Sequence, residues 1–169
     1  FDHIDLMPYD FCGRTDVGLK REKNEDAYLI NEDLGLFVVA DGMGGHLGGE
    51  YASRLAVNTI EQSLKKLSQD PDATLPAGGT VDASDLMDRI RYSIRVASSR
   101  IYDEALKDAK LRGMGTTTVL LQVQKEKVII ANVGDSRIYR FQKGRLEQLT
   151  VDHSLVNEQL RAGFISAED

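Results

Sequence analysis

Strands on either side of a pair of long helices, joined by tight turns, make this chain an α+β protein in which helices cover antiparallel sheets. Three observations carry that expectation. Two strand-like runs lie before residue 41, with only the polar Asn31-Glu32-Asp33 between them. Two later stretches place apolar residues at spacings of three and four, the period of a helix. After Gly113 the chain breaks into short β-branched runs punctuated by turn dipeptides.

Asp26–Ile30 and Leu34–Ala40 form a β-hairpin whose second strand is apolar on both faces and ends at a carboxylate, Asp41, followed by glycines. From Glu50 to Leu67, the residues Ala52, Leu55, Ala56, Ile60, Leu64 and Leu67 make one stripe, with Arg54, Asn58, Glu61, Lys65 and Lys66 elsewhere. That is an amphipathic helix with one face for a sheet. Ser68 to Ala83 carries Asp70-Pro71, Leu75-Pro76 and Gly78-Gly79 and few core-forming residues, so it reads as a surface loop. A second helix runs from a cap at Ser84 to near Lys110, through Leu86, Ile90, Ile94, Ala97, Ile101 and Ala105. Thr116–Val123, Val128–Val133, Arg137–Phe141 and Leu146–Leu149 then make an antiparallel meander. The chain has no internal repeat and no low-complexity segment.

At 169 residues the chain suits one domain and a core that needs no staples. Cys12 is the only cysteine, which rules out an internal disulfide and fits a reducing cytoplasm. A net charge of -6 with interspersed signs offers no phosphate-neutralising stripe, so nucleic acid is not an expected partner. No apolar run is long enough to span a membrane, and the first residues lack a secretory pattern. The first residue is Phe1 rather than methionine, so an upstream segment is expected to have been trimmed or left out.

Asp41-Gly42 is the most informative pair. A strand that ends in a short carboxylate beside bare backbone offers hard oxygen ligands at a sheet edge. Four other segments stand beside it: Arg21-Glu22-Lys23-Asn24-Glu25-Asp26, Gly115-Thr116-Thr117-Thr118, Asn132-Val133-Gly134-Asp135-Ser136-Arg137 and Thr150-Val151-Asp152-His153-Ser154. Taken singly they read as a charged turn, β-propensity, a hairpin turn with a surface ion pair, and a helix cap.

Taken together and in this order, the five segments closely resemble the protein phosphatase 2C family, the metal-dependent Ser/Thr phosphatases, in their bacterial form. The resemblance runs from Thr15 to the end of the chain. It implies a sandwich of two antiparallel sheets flanked by helices, in α-β-β-α layers, with a two-metal site at one end. Asp41 would bridge two Mn²⁺ or Mg²⁺ ions and the carbonyl of Gly42 would ligate one of them. Glu25 and Asp26 would act mostly through metal-bound waters, Asp135 would help to hold a weaker third ion, and Arg21 would grip the substrate phosphate. A metal-activated water would then hydrolyse phosphoserine or phosphothreonine, with no protein nucleophile. Gly115 and Thr116 would be structural.

The sequence departs from the family in two places. Met43 occupies the position where eukaryotic relatives have a histidine proposed as general acid; the nearby His46 would be structural in the glycine turn or take that role, and a metal-bound water would otherwise serve as the acid. The Ser-Asp-Gly and Asp-Asn motifs that complete the metal spheres are absent, and the chain ends in what resembles the flap segment, Arg161 to Asp169. Residues 1–169 are therefore expected to be the N-terminal two-thirds of a single phosphatase domain, C-terminally incomplete and with open sheet edges. The partners implied are phosphorylated proteins in bacterial signalling and, by analogy, a cognate kinase, with a monomeric state when the domain is complete. The competing expectation is a phosphatase-like module that binds phosphoproteins without hydrolysing them. A glycine loop at Gly42 to Gly49 that cradles a nucleotide phosphate is disfavoured, because neither a P-loop nor a dinucleotide spacing follows Gly42.

Overall fold

The structure, a computed structural model, describes residues 9–44, 48–69, 85–124 and 127–153. Most of the expected surface loop, the expected cap Ser84, His46 and the flap-like segment lie outside the described residues.

β1 (Asp26–Asn31) and β2 (Leu36–Met43) pair antiparallel, with Asn31 opposite Leu36 and Asp26 opposite Asp41. Local chemistry closes the turn between them. Asn31 Oδ1 accepts from the Leu34 N–H at 3.1 Å, and Gly35 turns with φ 56°, a conformation that a side chain resists. β2 does not stop at Ala40 as the apolar run suggests. It continues to Met43 because its last residues have a strand partner of their own, β3 (Gly115–Thr116), with Gly42 opposite Thr116 and Met43 opposite Gly115.

β4 (Thr118–Gln124) pairs along the same edge of β2, from Leu36 opposite Gln122 to Val39 opposite Val119. β5 (Lys127–Val133) follows, giving the order β1-β2-β4-β5 with β3 beside the end of β2. The expected single strand Thr116–Val123 is thus two strands parted at Thr117. β6 (Tyr139–Gln142) and β7 (Arg145–Gln148) form a separate antiparallel pair.

Helix α1 (Gly48–Gln69) starts ahead of the apolar stripe and buries the expected Ala52, Ala56, Ile60, Leu64 and Leu67. Helix α2 (Leu86–Lys107) is capped by Asp85, not Ser84, and the Asp85 side chain accepts from the Met87 N–H at 2.8 Å. It ends earlier than its periodicity suggests. Asp108 turns the chain out of the helix, and its side chain caps a short 3₁₀ turn, Ala109–Leu111, by accepting from the Lys110 N–H.

Alternation along β2 assigns its two faces. Leu36, Val38 and Ala40 are buried in one cluster with Val57, Ile60 and Leu64 of α1, Ile90 and Ala97 of α2, and Leu120 of β4. Phe37, Val39, Asp41 and Met43 face the other way, where Val39 is 47% exposed. The two antiparallel sheets and two helices give the α+β fold expected, with Asp41 on the sheet face turned away from the helices.

Candidate active site

Asp26 and Asp41 are direct partners across the β1–β2 ladder, so their side chains stand on one face of the sheet. The segment before β1 fixes where Asp26 enters. Asn24 Oδ1 accepts from the Asp26 N–H at 3.0 Å, and Asn24 Nδ2 donates to Thr15 Oγ1 at 2.7 Å. Two carboxylates directly opposite repel each other, and Asp41 registers it. Its carboxyl is raised from the ordinary carboxylate value, first by lost hydration, although the residue is exposed overall, and then by the charge and hydrogen bond of Asp26; Arg21 pulls it down and Asp135 pushes it up. Three other residues singled out in the sequence therefore act on Asp41, although they come from the chain before β1, from β1 and from the turn after β5.

The backbone of Asp41 is held on its other side by Thr117. The register of β2 is the same against β3 and β4, so Thr117 faces Asp41 in the gap between them. The Asp41 N–H donates to Thr117 Oγ1 at 3.0 Å, where a continuous ladder would use a carbonyl. The Asp41 carbonyl accepts from the Thr117 N–H at 2.9 Å and from Thr116 Oγ1 at 3.0 Å. Thr117 Oγ1 in turn lies 2.6 Å from Ser136 Oγ, next to Asp135. Asn24, Thr117 and Ser136 were not assigned a role from sequence. The available signal was their hydroxyl and amide chemistry inside the quoted motifs, since such side chains readily bond nearby backbone.

Gly42 and Glu25 meet on the helix side of the sheet. The Glu25 carbonyl accepts from the Gly42 N–H at 3.2 Å and from Ser53 Oγ of α1 at 2.6 Å. A methyl group on Gly42 would stand 2.0 Å from the Gly49 carbonyl oxygen and 2.7 Å from that of Glu25. The bare backbone after Asp41 is thus required by the close approach of α1, a reason separate from the ligand role that the resemblance implies. The Glu25 carboxylate lies beside Gly49 in the first turn of α1, whose free N–H groups favour a negative charge.

Two further segments prove to be partners. Arg137 Nε donates to Asp152 Oδ1 at 2.9 Å and its Nη2 reaches Oδ2, a forked pair in which the Asp152 side chain is only 11% exposed. Asn132 Nδ2 donates to the Val151 carbonyl at 2.8 Å, and the His153 N–H donates to the Gly134 carbonyl at 2.9 Å. These bonds tie residues 151–153 back to the turn that carries Asp135. The Arg137 hydrogen bonds hold Asp152 below the usual carboxylate range. A depressed native value means stability present above the unfolded value and lost as pH falls through the native one. Asp152→Asn is therefore expected to lower the urea midpoint at pH 7. Below about pH 4, the unfolded value, the difference from the unaltered protein should shrink, and a pH-independent difference would refute the ion pair as its cause.

Comparison with known proteins decides the family. A family model described as protein phosphatase 2C matches residues 20–166. The chain belongs to that family. It is 40% identical over 159 residues to the serine/threonine phosphatase stp of Listeria welshimeri, an alignment that covers 92% of this chain and 59% of that protein. It is 33% identical over 158 residues to the protein phosphatase PhpP of Streptococcus pneumoniae, with the same coverage of 92% and 59%. Among solved structures it matches the Mycobacterium tuberculosis serine/threonine phosphatase PstP/Ppp with a TM-score of 0.70 at 33% identity, over 92% of this chain and 59% of that one. A structure of the PstP catalytic domain in complex with two manganese ions matches with a TM-score of 0.69 at 33% identity, over 92% and 60%. The chain spans about three-fifths of the length of the relatives it matches.

For a protein phosphatase 2C, the residues on the open face fit a divalent metal in kind. Asp26, Asp41 and Asp135 are hard oxygen donors, and a cation offsets both the lost hydration and the carboxylate repulsion that raise Asp41. They do not close a shell. Among the described residues no group of three or more His, Cys, Asp or Glu side chains is placed to hold an ion. No helix among the described residues is long and apolar enough to cross a membrane.

Proposed function

We propose that this chain carries the first carboxylates of the metal site of a protein serine/threonine phosphatase, and that the protein hydrolyses phosphoserine and phosphothreonine in other proteins. The observation that supports this most is the placement of Asp26 opposite Asp41, with Asp135 and Arg21 near enough to move the Asp41 carboxyl in opposite directions. Opposed carboxylates weaken a ladder, and a cation turns that cost into binding.

In this reading Asp41 and the Gly42 carbonyl are inner ligands, Asp26 and Glu25 act from the outer sphere, and Asp135 serves a third position. The ions are Mn²⁺ or Mg²⁺, two with a weaker third, and the PstP structure that holds two manganese ions supports the first choice. Bound ions supply acidified water and the positive charge that phosphoryl transfer to water demands. The chain's own residues do the positioning. Arg21 offers paired N–H donors to two phosphate oxygens, which orients the phosphoryl group against the carboxylate face. Both backbone groups of Asp41 are already bonded, so its carboxylate is placed before substrate arrives. The substrates are phosphoproteins in a bacterial signalling system, opposed by a cognate kinase; the protein acts as a monomer in the cytoplasm, where free, exposed Cys12 stays reduced.

Phosphate release from a phosphothreonine peptide, measured with Mn²⁺ and with a chelator, tests the proposal. Release that the chelator stops is the expected result, whereas peptide binding with no release from a folded sample would replace hydrolysis by recognition. Arg21→Ala is expected to raise KM for the phosphopeptide about tenfold or more, with Mn²⁺ affinity within about twofold, because its partner is the phosphate. Equal loss of metal affinity in calorimetry would remove Arg21 from that role.

A further inference from the structure

We propose that Thr117 and Ser136 form a hydroxyl pair that fixes the spacing between the Asp41 and Asp135 carboxylates, and so act as positioning residues for the metal site; this rests on the reading of that site given above. The geometry is a chain of three contacts. The Asp41 N–H donates to Thr117 Oγ1 at 3.0 Å, Thr117 Oγ1 lies 2.6 Å from Ser136 Oγ, and Ser136 is covalently next to Asp135. The same threonine supports the turn sterically. Gly134, with φ 97°, lies so close that a methyl group on it would stand 2.8 Å from Thr117 Cγ2.

Thr117 is thus the joint at which the Gly134-Asp135-Ser136 turn is fastened to the end of β2. The rest of the turn is held by Asn132, the Val151 carbonyl and the His153 N–H. Those contacts close the turn on itself and on residues 151–153, and none of them bonds to β2. The hydroxyl pair supplies that cross-link over 76 residues of sequence from Asp41 to Thr117. A hydroxyl suits the place because it accepts from the Asp41 amide and still has a proton or a lone pair for Ser136. A ladder carbonyl would satisfy the amide and leave the turn unattached.

Mn²⁺ titration calorimetry on the full-length protein provides the test, with Asp41→Ala as the reference for loss of the site. Ser136→Ala, which removes one half-exposed hydroxyl, is expected to weaken Mn²⁺ about tenfold, within the range for residues that orient a ligand. Thr117→Val should weaken it by more and Thr117→Ser should restore it to within about twofold, because Ser keeps the hydroxyl. In an Asp135→Ala background, Ser136→Ala should have no further effect. Thermal melts in chelator separate this from stability, since a structural role alone would lower the midpoint without moving the isotherm. Isotherms for Ser136→Ala and Thr117→Val that overlay the unaltered protein, with Asp41→Ala still impaired, would overturn the positioning role alone. Equal weakening by Ser136→Ala with Asp135 absent would do the same. No Mn²⁺ uptake by the unaltered full-length protein, or none lost in Asp41→Ala, would overturn the site reading and the pair together.

Discussion

Asp41→Asn is expected to abolish Mn²⁺-dependent phosphate release, by about 10³-fold or more, and at the same time to raise the thermal midpoint of the metal-free protein. The two effects share one cause. Asp41 is exposed but loses part of its hydration among its neighbours, faces Asp26 across the ladder and feels the charge of Asp135, so its own charge is unfavourable until a cation arrives. Its native value is raised, and the sign follows from linkage. A group easier to protonate in the native state contributes most below its unfolded value, near pH 3.9, and that contribution is lost as pH rises through the native value. The asparagine variant should therefore melt with the unaltered protein at low pH and above it at pH 7, when both are in chelator. Adding Mn²⁺ should reverse the order, because only the aspartate gains from the ion. Melts from pH 4 to 8, with and without metal, give all four comparisons. Coincident melts at pH 7 in chelator would mean that the carboxylates do not repel as described, and an unchanged Mn²⁺ isotherm would take Asp41 out of the site.

Gly42→Ala is expected to cost about 3 kcal/mol, a fall in midpoint of about 6–12 °C for a domain of this size. The added methyl would stand 2.0 Å from the Gly49 carbonyl oxygen and 2.7 Å from the Glu25 carbonyl oxygen. Both are backbone atoms in regular or capped structure, so neither can swing aside as a side chain would. Relief requires α1 to move away from β2, and these two elements share the central cluster through Val57, Ile60 and Leu64. Gly115→Ala is the internal control. Its methyl would meet only the Met43 side chain, Cε at 2.8 Å and Cγ at 3.6 Å, and a flexible thioether can turn away, so the cost should stay within about 1 kcal/mol. Urea unfolding in chelator isolates packing from metal binding. Equal midpoints for the two variants would show that the glycine at position 42 answers to the metal alone.

Much of the fold was legible because it is written in local patterns. Of the expected stripe, Ala52, Ala56, Ile60, Leu64 and Leu67 are buried as their spacing predicts and Leu55 is half-buried, and the β1–β2 hairpin turns where Asn31 and Gly35 supply turn chemistry. Misplaced boundaries have local causes that periodicity does not contain. Asp85 and Asp108 cap with their side chains, and only one of many possible cap residues near each end does so. The site was legible as a set of motifs in order, and its chemistry as hard carboxylates with a guanidinium. The partners of those motifs were not. Arg137 and Asp152 stood in two separate segments, one read as a surface ion pair and the other as a cap, until the structure joined them.

The sequence by itself determined the fold class, most of the residues on the buried faces, the family, and which carboxylates are candidates for the site. Each of these depends on residue type and spacing within a short window, which the chain displays directly. The tertiary structure alone decided that β2 runs on to Met43, that Thr117 grips the Asp41 backbone, that Gly42 is bare because α1 presses against it, and that the turn bearing Asp135 is fastened through Ser136. Each of those rests on a contact between residues far apart in sequence. No local propensity encodes such a contact; it exists only once the sheet has set the register.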